Sequence, residues 1–223
     1  MNIDATINIR DWSFLLVGAG VTVLLCLQAM VFGVLIGLVV GLGRTAKKRL
    51  FAWPANLYVT VIRGTPLLMQ LFIIYYCLPL FGVNMPKFIT AALGLSLYAG
   101  AYVGEIVKAG LQSVEIGQRE AARSLGMAPW QEFRHIVLPQ ALRVIIPPMF
   151  GFFIALIKDS SLVSILGYVE LTRASKLVVA RTFKPFTLYL GAAALYFILC
   201  YSLSRLDAGY LRKKFSGPVV SQS

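Results

Sequence analysis

Four ionisable side chains stand inside stretches that are otherwise apolar: Arg63, Glu105 and the adjacent pair Lys158 and Asp159. In hydrocarbon each costs about 2.5–3.5 kcal/mol, so such groups face protein or a water-filled cavity. They mark either a path for polar solutes or a structural ion pair. Adjacent helical side chains point about 100° apart, so Lys158 and Asp159 serve different surroundings. Ser160 and Ser161 follow directly. Either hydroxyl is able to cap a new half-helix and leave backbone N–H groups for an anion. Covalent chemistry is poorly supplied. Aspartyl catalysis needs two carboxylates sharing a site, and no paired acidic motif occurs. One histidine, His135, and three cysteines, Cys26, Cys77 and Cys200, show no CxxC or Cys/His metal spacing. The cysteines read as small buried hydrophobes, and His135 as an interfacial residue. No catalytic residue and no metal site is expected.

The elements that must carry these groups are set by composition. Of 223 residues, 58% are apolar and only 13% charged, and the mean hydropathy is +0.78. Soluble domains carry about a quarter charged residues. This balance excludes a disordered chain, a coiled coil and an ordinary soluble enzyme. Apolar regions at 14–43, 57–81, 88–107, 144–169 and 186–204 predict an all-α, polytopic membrane protein with about five transmembrane helices. The first region has 30 residues without a charge. It is too long for a signal-peptide core, and Asp4 and Asp11 stand on its N-terminal flank where a signal peptide carries cations. Gly33, Gly37 and Gly41 repeat every fourth residue, a spacing that lets two backbones approach in lipid. Pro147 and Pro148 predict a break in the fourth region.

The net charge of +12 reflects membrane topology rather than nucleic-acid binding. Arg44, Lys47, Lys48 and Arg49 follow the first region. Lys108, Arg119, Arg123, Arg134 and Arg143 lie between the third and fourth. Arg205, Arg212, Lys213 and Lys214 follow the fifth. Lys and Arg collect in cytoplasmic loops, so the N-terminus is expected outside and the C-terminus inside. Arg173, Lys176, Arg181 and Lys184 run against that bias without reversing it.

The polar stretch from Gln118 to Pro139, QREAARSLGMAPWQEFRHIVLP, is the most informative. Gln118 to Leu125 predicts a short helix with Ala121, Ala122 and Leu125 on one face. Gly126 suits its C-terminal cap. Pro129 suits the first turn of a second short helix, to which Trp130 and Phe133 give an apolar face. Pro139 marks a break before the next span. Two short helices projecting from a membrane domain suit docking to a soluble partner.

Glu120-Ala121-Ala122, three residues, Gly126, nine residues, Ile136, one residue and Leu138-Pro139 match the EAA loop, so the chain resembles the membrane subunits of ABC importers. Arg63-Gly64-Thr65-Pro66-Leu67-Leu68, Ala101-Tyr102-Val103-Gly104-Glu105-Ile106 and Lys158-Asp159-Ser160-Ser161-Leu162 are similar to segments of permeases for polar amino acids, related to histidine, glutamine and cystine permeases. The resemblance implies a type I importer transmembrane domain at 14–206, an outer N-terminal segment at 1–13 and a cytoplasmic tail at 207–223. It implies a coupling loop at 115–139, with Glu120, Ala121, Ala122, Gly126 and Pro139 as the contacts to an ATPase subunit. The implied partners are a second permease subunit (a homodimer in preference to a heterodimer), two ATP-binding subunits and an extracytoplasmic amino-acid-binding protein. The setting is the bacterial inner membrane. ATP and Mg would belong to the partner, because this chain has no phosphate-cradling G-x-x-x-x-G-K-[ST] loop and no cofactor of its own is expected.

An amino-acid substrate brings one carboxylate and one ammonium. Under that resemblance the pathway candidates are Arg63, Gln70, Tyr98, Glu105, Lys158, Asp159, Ser160 and Ser161. Arg63 would meet a carboxylate. Glu105 would meet an ammonium or, alternatively, pair with Lys108 one turn on. The chain departs from the family at Tyr98 and Gly151, where Asn is frequent. Either the side-chain preference differs or the permease has no tight pocket. A stand-alone proton-coupled transporter is the rival reading, and its expected mark, an internal inverted repeat, does not appear.

Overall fold

The computed structural model describes residues 6–46 and 48–206, and all regular structure among them is helical. Helix α1, Ile9–Thr45, has 37 residues, about 55 Å at 1.5 Å per residue, which exceeds a hydrocarbon core of about 30 Å. Helix α2 spans Arg49–Gly64. Helix α3, Leu67–Phe72, continues through a π-helical turn and a 3-10 turn to Phe81. The two are bent by 105° at Thr65-Pro66. The second apolar region is therefore sharply bent and not one straight helix. Proline has no N–H to continue the ladder and pushes the residue before it into extended backbone; Thr65 sits at φ −120°, ψ 145°.

Helix α4, Lys87–Gln112, is the best-buried element. It lies along α1 through reciprocal small-residue contacts. Val103 fills the space over Gly37, Val107 that over Gly41 and Ala99 that over Gly33, while Ile36 and Val40 lie over Gly100 and Gly104. The glycine spacing thus builds the central helix pair of the chain.

Two short helices follow, α5 at Ile116–Ser124 and α6 at Pro129–Glu132. They are joined at Gly126, whose φ of 75° is the left-handed conformation that glycine takes without steric cost. The expected break at Pro139 is absent. A π-helical turn at Phe133–Val137 leads straight into α7, Leu138–Asp159. Wider i→i−5 bonding there places the Leu138 N–H on Phe133 O, so the helical path runs on into Pro139. Pro147 and Pro148 also lie inside a continuous α7. Proline is tolerated in membrane helices because neighbours and local 3-10 or π adjustments re-satisfy the freed carbonyls.

Nor does the fourth span divide at Lys158-Asp159-Ser160-Ser161. Its helix tightens into a 3-10 segment, Ser160–Leu166, ended by Gly167 at φ 78°. The Ser160 hydroxyl donates back to Ile157 O at 2.7 Å and caps no new helix. Helix α8, Leu171–Thr182, was not anticipated. Its inner face is Leu171, Ala174, Ser175, Val178 and Thr182, a helical spacing that the basic residues between them obscure. Helix α9, Pro185–Leu206, is the last span. Among the described residues four helices are long and apolar enough to cross a membrane, or five if the bent α2–α3 pair is one span.

The two ends of α1 face different company. Its N-terminal half packs on α8, with Gly18 against Leu171 and Ala174, and Asp11 accepts from Arg181 Nη2 at 2.6 Å. Its C-terminal end, at Leu42 and Thr45, borders the α5–α6 loop. The loop and α8 therefore lie at opposite ends of the bundle.

Candidate functional site

One face of α4 carries Tyr98, Tyr102 and Glu105, spaced i, i+4 and i+7, which a 3.6-residue turn brings into line. The Tyr98 hydroxyl donates to Asp159 Oδ2 at 3.4 Å. The Tyr98 and Tyr102 ring centroids are 4.7 Å apart, and Tyr102 stacks on Phe152 of α7 at 5.1 Å. The Arg63 guanidinium lies 5.3 Å from the Tyr102 ring centroid, within cation–π range. Arg63 Nη1 also reaches Glu105 Oε2 at 2.5 Å, and Arg44 Nη1 reaches the same oxygen at 2.8 Å. A half-buried track thus runs from Asp159 across two tyrosines to a triad of Arg63, Glu105 and Arg44. It has a carboxylate at each end and aromatic faces between them.

The sequence brought Glu105 and Arg63 forward separately. The structure pairs them, and it replaces the expected Glu105–Lys108 bridge by the two arginines. Arg44 joins from the last turn of α1 and was missed, because nothing local ties a cation at that helix end to a residue 61 positions away. Asn56 completes its ligation, accepting from Arg44 Nε at 2.8 Å. Three elements, α1, α2 and α4, are tied together there.

Gln70 is buried and holds the break between α2 and α3. Its Nε2 donates to Ile62 O, Thr65 O and Thr65 Oγ1, while its Oε1 is buried with no partner. Lys158 is exposed, Asp159 and Ser161 are half-buried and Ser160 is fully buried. The adjacent pair therefore looks in two directions, as helical geometry requires. Gly151 is exposed, with nothing within 4 Å of a Cβ placed there.

In the α5–α6 loop, Ala121 and Ala122 fall on different sides. Ala122 is 3% exposed and packs within the chain, whereas Leu125 is 82% and Trp130 64% exposed. The expected single face of Ala121, Ala122 and Leu125 is thus divided. Arg123 turns to Glu132 of α6, Nε to Oε2 at 2.8 Å and Nη2 to Oε1 at 3.2 Å, rather than to Glu120. Hydrogen bonding to that carboxylate holds the Arg123 guanidinium above its ordinary pKa. The pair braces one short helix against the other across Gly126. Glu120 is exposed, and Pro139 lies in the first turn of α7.

At the other end of the bundle, Glu170 caps α8. Its carboxylate accepts from the Thr172 and Arg173 N–H groups at 2.9 and 2.8 Å and from the Tyr196 hydroxyl at 2.9 Å. Burial pushes its pKa up, and these hydrogen bonds act against that.

A bundle of four to five spans with an internal polar track and a folded two-helix loop at one end is the architecture of a polytopic permease subunit. Residues 33–216 match the family of binding-protein-dependent transport system inner membrane components, and the chain belongs to that family. It is 41% identical over 194 residues to the L-cystine transport system permease protein TcyB of Bacillus subtilis, covering 86% of this chain and 83% of that one. It is 33% identical over 214 residues to the arginine transport system permease protein ArtQ of the same organism, covering 96% and 98%. Among solved structures, an amino acid ABC transporter crystallised with histidines matches with a TM-score of 0.88 at 36% identity, over 93% of this chain and 99% of that one. The MetNI methionine ABC transporter in an inward-facing conformation shares the fold, with a TM-score of 0.78 at 21% identity.

Proposed function

We propose that this chain is the permease subunit of an ATP-driven ABC importer for a polar L-amino acid. Two permease subunits, in a homodimer, enclose the pathway. Two ATPase subunits hold ATP and Mg below, and an extracytoplasmic binding protein delivers the substrate above. The N-terminus is outside and the C-terminus inside. The transmembrane domain spans 14–206 after an outer segment at 1–13. The tail at 207–223 is cytoplasmic; it lies outside the described residues.

The observation that carries this reading is the α5–α6 loop. Glu120, Ala121 and Leu125 are exposed on one short helix, and Gly126 and the Arg123–Glu132 pair fix that helix against the next. A rigid, solvent-exposed helix with an apolar corner suits docking in a groove of the ATPase. Ala122 is buried within the chain, and Pro139 lies in the first turn of α7, so a push on the loop reaches the span directly. ATP closes the partner dimer and draws two such loops together. The permease responds because its two conformations differ in affinity for the two states of the motor.

The Asp159–Tyr98 end of the polar track is the pathway side, with Asp159 meeting the substrate ammonium and Ser161 beside it. Arg63 borders the same track over Tyr102. Relatives named for cystine and arginine support polar amino acids as the substrate class.

Purification in mild detergent tests the reading. A nucleotide-binding subunit should co-purify, and reconstituted vesicles should take up substrate only with ATP and the binding protein. Uptake by this chain alone, driven by a proton gradient, would overturn it.

A further inference from the structure

A cavity of about 670 Å³ lies between the C-terminal end of α1 and the α5–α6 loop. Its charged lining is Arg44, Arg119, Arg123 and one acid, Glu132, so cations predominate. Arg44 is committed to Glu105 and Arg123 to Glu132. Among the described residues Arg119 makes no ion pair within 4 Å, although Glu132 feels its charge. Its Nη2 donates to Leu111 O at 2.6 Å, and its Nε is buried without a partner. A buried N–H left unpaired is costly, and the guanidinium that carries it lines the cavity. The remaining wall is largely apolar, with Leu42, Leu111, Phe133 and Val137 among it. A ligand suited to both surfaces carries an anionic oxygen on an apolar body.

The cavity is on the side of α5 that faces the ends of α1 and α4. Ile116, Arg119 and Arg123 line it and share one helical face, whereas Ala121 and Leu125 point away from it. Occupancy therefore leaves the outer face of the loop free. We propose that this cavity binds the phosphate group of an anionic phospholipid, with Arg119 as its principal donor and Arg123 at its rim. Basic pockets between membrane helices on the cytoplasmic side suit such headgroups. The apolar wall favours a lipid over free phosphate. Only the choice of leaflet rests on the importer reading.

Native mass spectrometry of the full chain in detergent tests this with three probes: phosphatidylglycerol, phosphatidylcholine and inorganic phosphate. Phosphatidylglycerol should be retained over phosphatidylcholine. Arg119→Gln should weaken that retention about tenfold, as loss of a charge-assisted hydrogen bond would. Arg119→Lys should keep most of it, and Arg134→Gln, on the exposed side of the loop, should change nothing. Leu42→Glu, at a partly exposed wall position, should expel the lipid with Arg119 intact, a second route if Arg119→Gln fails to fold. Equal retention of both lipids, or undiminished phosphatidylglycerol binding in folded Arg119→Gln and Leu42→Glu, would overturn the proposal. Arg119-dependent binding of inorganic phosphate without lipid selectivity would overturn the lipid source. Because transport is not measured, a chain that binds the lipid yet never associates with an ATPase would sink the importer reading and spare the site.

Discussion

Val103 of α4 occupies the space that a side chain on Gly37 of α1 would need: a Cβ there would lie 2.5 Å from Val103 Cγ1 and 2.9 Å from the Gly104 backbone nitrogen. Rotating Val103 relieves the first clash but not the second, so a methyl at Gly37 must push the helices apart. Gly37→Ala should destabilise the folded chain by about 1–3 kcal/mol, the usual cost of overpacking. Gly20, on the same helix with nothing within 4 Å of its Cβ, is the control. Gly20→Ala should be neutral or stabilising by roughly 0.5–1 kcal/mol, the ordinary helix-propensity gain. Thermal unfolding in detergent reads both. A Gly37→Ala protein as stable as Gly20→Ala would show that the α1–α4 seam is not close-packed.

The same seam shows what was legible beforehand. A four-residue glycine repeat in an apolar stretch pointed to close helix packing, and Val103, Val107 and Ala99 are the residues that fill it. The spans were legible too, because hydropathy is local. What was not legible depended on partners distant in sequence. Proline positions suggested breaks at Pro139 and Pro147-Pro148 as well as the interruption of the second region at Pro66; among the described spans the helix bends sharply at Pro66, where Gln70 takes up the carbonyls of Ile62 and Thr65. Helix α8 was hidden because its cations masked an apolar face that α1, distant in sequence, completes together with α9.

The triad around Glu105 gives a second prediction. Arg44 is 9% exposed at its side chain, while Glu105 and Arg63 are 35% and 41% exposed. Glu105→Gln leaves Arg44 nearly buried without its counter-charge. The expected loss is about 1–2 kcal/mol, reduced from the 3–5 kcal/mol of a fully buried pair because two of the three members reach solvent. Lys108→Gln should cost nothing measurable. Equal unfolding temperatures for the two variants would refute the triad and restore the local Glu105–Lys108 pair.

Gly126 gives the third. Its φ of 75° is unfavourable for other residues by roughly 1–2 kcal/mol, while nothing within 4 Å would meet a Cβ. Gly126→Leu should therefore act through the backbone angle between α5 and α6 and not through a clash. Membrane insertion should be intact. Stimulation of the partner ATPase by loaded binding protein should be lost, because the docking helix is re-aimed. Normal stimulation in that variant would count against a docking role for the loop.

Asp159 and Tyr98 give the last, and here the sequence could reach each residue but not the link between them. Asp159 stood out as an intramembrane acid and Tyr98 as a departure from the family, yet 61 positions separate them. Their bond, at 3.4 Å, is long enough to be weak, and the Tyr98 ring is held independently by Tyr102 and Phe152. Tyr98→Phe should then leave folding within about 0.5–1 kcal/mol of the parent, the worth of a weak net hydrogen bond. Asp159→Asn should likewise assemble, because among the described residues no ion pair within 4 Å holds the carboxylate in place. If Asp159 meets the substrate ammonium, its neutral variant should raise the substrate concentration for half-maximal uptake by tenfold or more (about 1.4 kcal/mol). Tyr98→Phe should then change uptake less, and in the double variant the tyrosine effect should disappear, since its hydroxyl acts through the lost carboxylate. Uptake assays on reconstituted single and double variants read all three. Additive effects would separate the two residues. Loss of the assembled complex in Asp159→Asn would reassign the carboxylate to structure.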